Sequence, residues 1–171
     1  FGSYAAWAVA ETMRIEGPVA LLAPKGALAG TKKRTNDNSY PLSREDAISL
    51  ILDTLPQDTV FSATTGRASR ELYNLRERRG EGHSHDYLNV GSMGHASSAA
   101  LGIALGQPLR KVVCLDGDAA AIMHMGALAV IPSTGINNLV HVILNNGAHE
   151  SVGGELSVGW SVDFTSIAEA C

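Results

Sequence analysis

Two apolar runs rich in β-branched residues dominate this chain, one at Lys111–Leu115 and one at Leu139–Leu144. Each ends abruptly in small polar residues: Asp116, Gly117 and Asp118 after the first, Asn145, Asn146 and Gly147 after the second. A helix-like segment separates them. Strand, helix, strand in this order predicts a parallel pair joined by a right-handed crossover, which places both strand C-termini on one edge. In such a sheet, that edge opens onto the crevice where ligands bind.

The same alternation extends through most of the chain. Ser43 is expected to cap a helix running through Leu55, with Glu45 and Asp46 in the first turn, where the helix dipole favours negative charge. A strand over Thr59–Ser62, a helix over Arg67–Arg78, a polar loop over Gly80–His85 and a strand over Tyr87–Val90 follow. A small-residue helix at His95–Leu105 precedes the Lys111–Leu115 strand. Ala119–Ile131 reads as one helix stopped by Pro132. Beyond the Leu139–Leu144 strand lie a Gly-rich loop, Gly147–Ser161, and a last helix over Phe164–Cys171. Strands alternating with helices predict an α/β fold, a doubly wound parallel sheet covered on both faces. Four loops then meet on its rim: Thr65 and Gly66; Gly91, Ser92 and Met93; Asp116 to Ala119; Asn145 to Gly147. Upstream, Ser3–Arg14 has helical spacing and ends near Gly17 and Pro18, Val19–Ala23 reads as a short strand, and Thr31–Ser39 reads as a polar linker.

A length of 171 residues suits one α/β domain, and a net charge of −4 argues against a general nucleic-acid or anionic-membrane binder. The basic runs Lys32–Arg34 and Arg76–Arg79 read as solvated surface. Of two cysteines, Cys114 lies in an apolar strand and Cys171 at the end. No disulfide framework is implied, so a cytoplasmic location is expected. No run is long enough for a membrane span.

The rim carries a chemistry of its own. Asp118 offers a carboxylate, Asn146 an amide oxygen, and the chain beyond it offers carbonyls. An all-oxygen set suits a hard cation such as Mg²⁺ bridging to phosphates, and a helix opening at Asp118 would aim backbone N–H groups at those phosphates.

This pattern resembles the cofactor motif of thiamine diphosphate (ThDP) enzymes: Gly-Asp-Gly, a spacer of nearly thirty residues, then Asn-Asn. Here Gly117, Asp118 and Ala119 stand first, with Asn145 and Asn146 downstream. Ala119 replaces the usual Gly, a change that a backbone contact survives if φ stays negative. The segment Gly91, Ser92, Met93, Gly94 resembles the one that props the cofactor into its bent shape. The resemblance gives Met93 the propping role and the Gly91 carbonyl a bond from the aminopyrimidine. Within the family, the runs around His124 and over Asn145–Gly154 look most like the phosphonopyruvate decarboxylases, with the sulfopyruvate decarboxylases next. The fold implied is the ThDP-binding fold. The activity implied is ThDP- and Mg²⁺-dependent decarboxylation of 3-phosphonopyruvate to phosphonoacetaldehyde and CO₂.

The resemblance also distributes roles. Asp118, Asn146 and the Ala148 carbonyl would ligate Mg²⁺. Thr65, Gly66, Gly91, Ser92, Met93, Gly117, Asp118, Ala119, Ala120 and Asn146 would contact the cofactor, the diphosphate meeting the Ala119 and Ala120 N–H groups. His95 and His149 flank the cofactor loops and are candidate general acids or anion binders. His124 and His141 read as structural, and His83 with His85 as too few ligands for zinc. Arg67 and Arg70 are candidate anchors for an anionic substrate group. Residues 1–34 resemble the tail of a preceding pyrimidine-type domain and the start of a linker, 35–42 a linker, and 43–171 a diphosphate-binding domain cut short at its C-terminus. The Glu that activates the aminopyrimidine is expected on a further domain of the complete chain or on a partner subunit, and the assembly is expected to be a homo-oligomer. A non-catalytic cofactor-binding fragment is the alternative.

Overall fold

A computed structural model describes residues 2–24, 27 and 40–171 of the chain. It divides into two compact units, Phe1–Lys33 and Arg34–Cys171. In the first, α1 (Gly2–Ile15) buries none of its residues. The strand expected at Val19–Ala23 is not formed: the segment joins no sheet among the described residues, and Leu22 is exposed. A strand without a ladder partner has no source of stability in water. The linker expected over residues 31–39 lies outside the described residues, so the boundary of that linker rests on sequence alone.

The second unit is built on four parallel strands. They are β1 (Val60–Ala63), β2 (Asp86–Leu88), β3 (Val112–Gly117) and β4 (Leu139–Leu144), in the order β2-β1-β3-β4. Registers Val60 to Val112 and Val112 to Leu139 align the strands, so their C-terminal ends share one rim. Side chains alternate across the sheet with period two. Phe61, Ala63, Val113 and Leu115 face α2 (Arg44–Thr54) and α3 (Arg67–Arg79), where Ile48, Leu72 and Leu75 complete one core. Val112 and Cys114 face α4 (Ala96–Gly106), whose Ala96, Ala100 and Ala104 let the helix backbone approach closely. Both faces are covered, as expected for a doubly wound sheet.

Two local expectations change. Ala119–Ile131 is not one helix but two, α5 (Asp118–Met123) and α6 (Ala127–Ser133). The break falls before Gly126, where a helix interruption is cheapest, since Gly costs about 1 kcal/mol relative to Ala. Pro132 lies inside α6 rather than ending it. The Gly147–Ser161 loop holds a short hairpin, β5 (Ala148–His149) and β6 (Glu155–Leu156), with a 3₁₀ turn at Glu150–Val152 between them and another at Gly159–Ser161. A last helix, α7 (Phe164–Glu169), follows, with Asp163 capping it.

Arg76 also departs from the solvated reading. It is 8% exposed, bonds Asp86 and Glu81, and lies over the Phe61 ring at 5.3 Å. A guanidinium can stack on an aromatic face while its fork binds carboxylates, so it seals the sheet edge beside β2.

Candidate active site

A cleft of about 290 Å³ opens at the rim, between the ends of β1, β3 and β4. Of the residues singled out in the sequence, Thr65, Gly66, Met93, Gly117, Asp118, Ala119, Ala120, Asn146, Ala148 and His149 line it. Gly91, Ser92 and His95 do not; all three are exposed. His95 instead packs its ring against His124, with centroids 4.1 Å apart. A larger, shallower groove lies on the other side of β4.

Asp118 stands at the first position of α5 and is 2% exposed. Its Oδ2 accepts a short hydrogen bond from the Ser157 hydroxyl. Among the described residues no Lys, Arg or His pairs with it. A carboxylate this deeply buried is costly unless a cation compensates it. Gly159 is what allows the fit, because a Cβ there would stand 2.3 Å from Asp118 Oδ2.

The two asparagines divide their work. Asn145 staples the loop: its Nδ2 donates to the Gly159 carbonyl at 2.9 Å, and its Oδ1 accepts from the Gly147 N–H at 3.0 Å. Asn146 turns into the cleft; its Oδ1 accepts from the Ala148 N–H at 3.1 Å, and its Nδ2 reaches Glu150 at 3.4 Å. Gly147 has φ of +63°, and a Cβ there would overlap the Trp160 ring. Ala119 lies within α5 and has negative φ, so the family's usual Gly is not needed for this backbone. The buried uncompensated carboxylate, the amide oxygen and the uncapped N–H groups of α5 form a donor set that suits a hard cation with a phosphate ester. Asp118, Asn146 and Ala148 would hold the metal, and α5 would face the diphosphate.

Met93 is half-buried and reaches the cleft from a strained turn: Ser92 has φ of +51°, uncommon outside Gly, and Gly94 has φ of +86°. Gly94 abuts the His124 ring and the Ala120 carbonyl, where a Cβ would be 2.6 and 2.9 Å away. The turn is therefore pinned against α5.

The opposite wall holds a group that sequence reasoning missed. Arg44 donates from Nε and Nη2 to Glu71, both at 2.7 Å, and from Nη1 to Glu150 at 3.0 Å. Burial acts to lower the Arg44 pKa, but the Glu71 and Glu150 carboxylates outweigh it and hold the value above its ordinary level. Arg67 pairs with the other Glu150 oxygen at 3.1 Å. One signal was present: Arg44 opens α2, where the helix dipole disfavours a cation, so a compensating anion was to be expected. His141, read as structural, lies 3.2 Å from Asp116 on the far side of the sheet.

The parallel sheet, the buried aspartate and the paired-asparagine turn at its carboxyl rim are the arrangement expected from the resemblance to thiamine diphosphate enzymes. Residues 64–171 match the family model "Thiamine pyrophosphate enzyme, C-terminal TPP binding domain", and the chain belongs to that family. It is 41% identical over 138 residues to a phosphonopyruvate decarboxylase of Streptomyces hygroscopicus, and 42% identical over 129 residues to one of Streptomyces viridochromogenes. These matches cover 81% and 75% of the chain but 33% and 31% of the two relatives, so the chain spans about a third of their length. A sulfopyruvate decarboxylase subunit beta of Methanothermobacter thermautotrophicus is 36% identical over 75% of the chain and 66% of that protein. Among solved structures, a thiamine diphosphate-dependent 4-hydroxybenzoylformate decarboxylase of Rhodococcus jostii RHA1 superposes with a TM-score of 0.60. It is 21% identical, over 86% of this chain and 30% of the other, and shares the fold.

Proposed function

We propose that this chain is the diphosphate-binding part of a ThDP- and Mg²⁺-dependent 2-oxo acid decarboxylase acting on 3-phosphonopyruvate, with phosphonoacetaldehyde and CO₂ as products. The observation that carries the reading is the convergence of buried Asp118, Asn146 and Ala148 with the first turn of α5 in one cleft. Bound ThDP supplies the electron sink that a 2-oxo acid needs when it loses CO₂. The chain's own residues do the rest. Asp118, Asn146 and the Ala148 carbonyl would hold Mg²⁺ and the diphosphate, Met93 would support the cofactor, and the Gly91 carbonyl, which lies outside the cleft, would be offered to its aminopyrimidine. His149, on the cleft wall, is placed to supply a proton or meet an anionic group. His95 has the weaker claim, since it lies outside the cleft.

The choice of substrate is supported by the 41–42% identity to phosphonopyruvate decarboxylases, against 36% for a sulfopyruvate decarboxylase subunit. Sulfopyruvate is the competing substrate. The aminopyrimidine-activating carboxylate is assigned to another domain or a partner subunit, since Glu150 is paired with Arg44 and Arg67 and Glu155 lies in β6 of the hairpin that follows Asn146. Residues 1–34 are proposed as the tail of a pyrimidine-type domain and 43–171 as the diphosphate-binding domain, within a homo-oligomeric cytoplasmic enzyme.

The test is CO₂ release from each substrate by the complete enzyme, with and without ThDP, and before and after EDTA. Asp118→Ala is expected to abolish turnover and Mg²⁺-dependent ThDP binding while the sheet stays folded by circular dichroism. Full ThDP binding by that variant would sink the assignment.

A further inference from the structure

Three guanidiniums converge on the β1 wall of the cleft. Arg44 comes from the first turn of α2, and Arg67 and Arg70 from the first turn of α3; all three line the cavity. Each stands where a helix dipole disfavours a cation. The α3 start is also uncapped by any side chain, its N-cap being Gly66 with φ of +100°. Positive charge gathered against the local field has a cost, and an anion in the cleft removes it. In this structure the anion is the protein's own: Glu150 places one oxygen 3.0 Å from Arg44 and the other 3.1 Å from Arg67. Arg70 is in no ion pair among the described residues.

The arrangement is preorganised on one side and movable on the other. Glu71 grips Arg44 through two bonds of 2.7 Å and fixes its fork, leaving Nη1 directed at Glu150. Glu150 itself rides on a single 3₁₀ turn, between Gly147 (φ +63°) and the pair Gly153 (φ +117°) and Gly154 (φ +81°). Ser151 of the same turn abuts Gly66, so the backbone is held there, and it is the Glu150 side chain, a third exposed, that can rotate out. Once Glu150 leaves, three guanidiniums face one carboxylate, Glu71, and the wall carries two net positive charges. That balance matches a doubly charged tetrahedral oxyanion, which planar guanidiniums bind through paired N–H groups.

We infer that Arg44, Arg67 and Arg70 form the subsite for the phosphonate tail of the substrate, and that Glu150 occupies it as a displaceable internal anion until substrate arrives. The inference rests on the proposed reaction for the identity of the tail. The cofactor's diphosphate is assigned to Asp118, Asn146 and α5; the two sites adjoin, since Asn146 Nδ2 also reaches the Glu150 oxygen that Arg44 binds. Pyruvate, which has a hydrogen in place of the phosphonate, would leave Glu150 seated.

The experiment uses the complete, ThDP- and Mg²⁺-loaded enzyme with phosphonoacetate, an unreactive carrier of the same tail, followed by calorimetry. Arg67→Met is the first variant, since this partly exposed side chain can be removed without opening the core. Binding of phosphonoacetate is expected to weaken at least about tenfold, the loss of one charge-assisted contact. The kcat/KM ratio for phosphonopyruvate over pyruvate should fall by a similar factor, and Arg67→Lys should recover part of it. Glu150→Gln is expected to tighten phosphonoacetate binding, because the occupant loses its charge. Unchanged phosphonoacetate binding in Arg67→Met, or weaker ThDP binding with an unchanged substrate ratio, would overturn the subsite. Weaker phosphonoacetate binding in Glu150→Gln would show Glu150 to be a structural link rather than an occupant. Wild-type enzyme that binds phosphonoacetate but releases no CO₂ from phosphonopyruvate would overturn the reaction and leave the subsite standing.

Discussion

Met93 and Cys114 show how differently two sulfur side chains can be placed within one fold. Met93 reaches the cleft from a turn strained at Ser92. If it props the cofactor, Met93→Ala should weaken ThDP retention and lower kcat, while Met93→Leu, which keeps volume, should be mild. Equal activity of the Ala variant would return Met93 to a packing role. Cys114 is fully buried, and burial first, the nearby Asp116 charge second, pushes its thiol pKa well above the ordinary range. The unfolded chain ionises this thiol near pH 8.5 while the folded chain does not. Its contribution is therefore complete below about pH 8.5 and is lost as pH rises further, because only the unfolded state gains the thiolate. Melting temperature should fall with pH from 8 to 10 more steeply in the parent than in Cys114→Ala, and a thiol reagent should label one cysteine, Cys171, until the protein unfolds. At this scale Asp118 and Asn146 were legible in the sequence because a short motif holds each of them. Arg44 was not, because its partners Glu71 and Glu150 lie 27 and 106 residues away.

Among the elements, the four strands and the helices Arg44–Thr54, Arg67–Arg79 and Ala96–Gly106 were readable because each has a sustained period and a clear end signal. The Ser43 cap was read correctly: its side chain accepts from the Asp46 N–H. The hairpin of β5 and β6 was not readable. Two-residue strands have no period, and the pairing of Ala148 with Leu156 is set by what surrounds it. The surroundings are Trp160 against Gly147, Ser157 on Asp118, and Asn145 bound to Gly159. The split of α5 from α6 was missed for a related reason, since the apolar period runs through Gly126 without interruption. The hairpin should be sensitive where it is tightest. Gly147→Ala introduces a Cβ only 1.9 Å from the Trp160 indole nitrogen, in a backbone conformation that L-residues rarely adopt. The expected outcome is loss of Mg²⁺-dependent ThDP binding with little change in far-ultraviolet circular dichroism. Normal affinity would show that the turn relaxes without cost to the metal loop.

For the whole molecule, the proposed division of labour has a direct consequence. In that reading the chain would supply the diphosphate grip, the bend and one carbonyl contact, and no carboxylate among the described residues is assigned to the aminopyrimidine. Residues 1–171 alone are expected to show weak or no turnover, with activity appearing when a pyrimidine-type domain is supplied. Robust decarboxylation of phosphonopyruvate by the isolated monomer would contradict this. A cleft left open to water also cannot protect a reactive carbanion, which is a second reason to expect closure by another domain.

The packing of Trp160 gives the protein an optical gauge of its own cofactor loop. The indole stacks on Tyr40 at 5.4 Å and covers Gly147, the residue next to Asn146. If Asn146 and the Ala148 carbonyl close onto a cation, the turn under that ring is expected to shift with them. The chain has one other tryptophan, Trp7, in the separate N-terminal unit. With Trp7 replaced by Phe, the emission of a single indole would register the filling of the metal site directly, with no substrate present and no dependence on turnover.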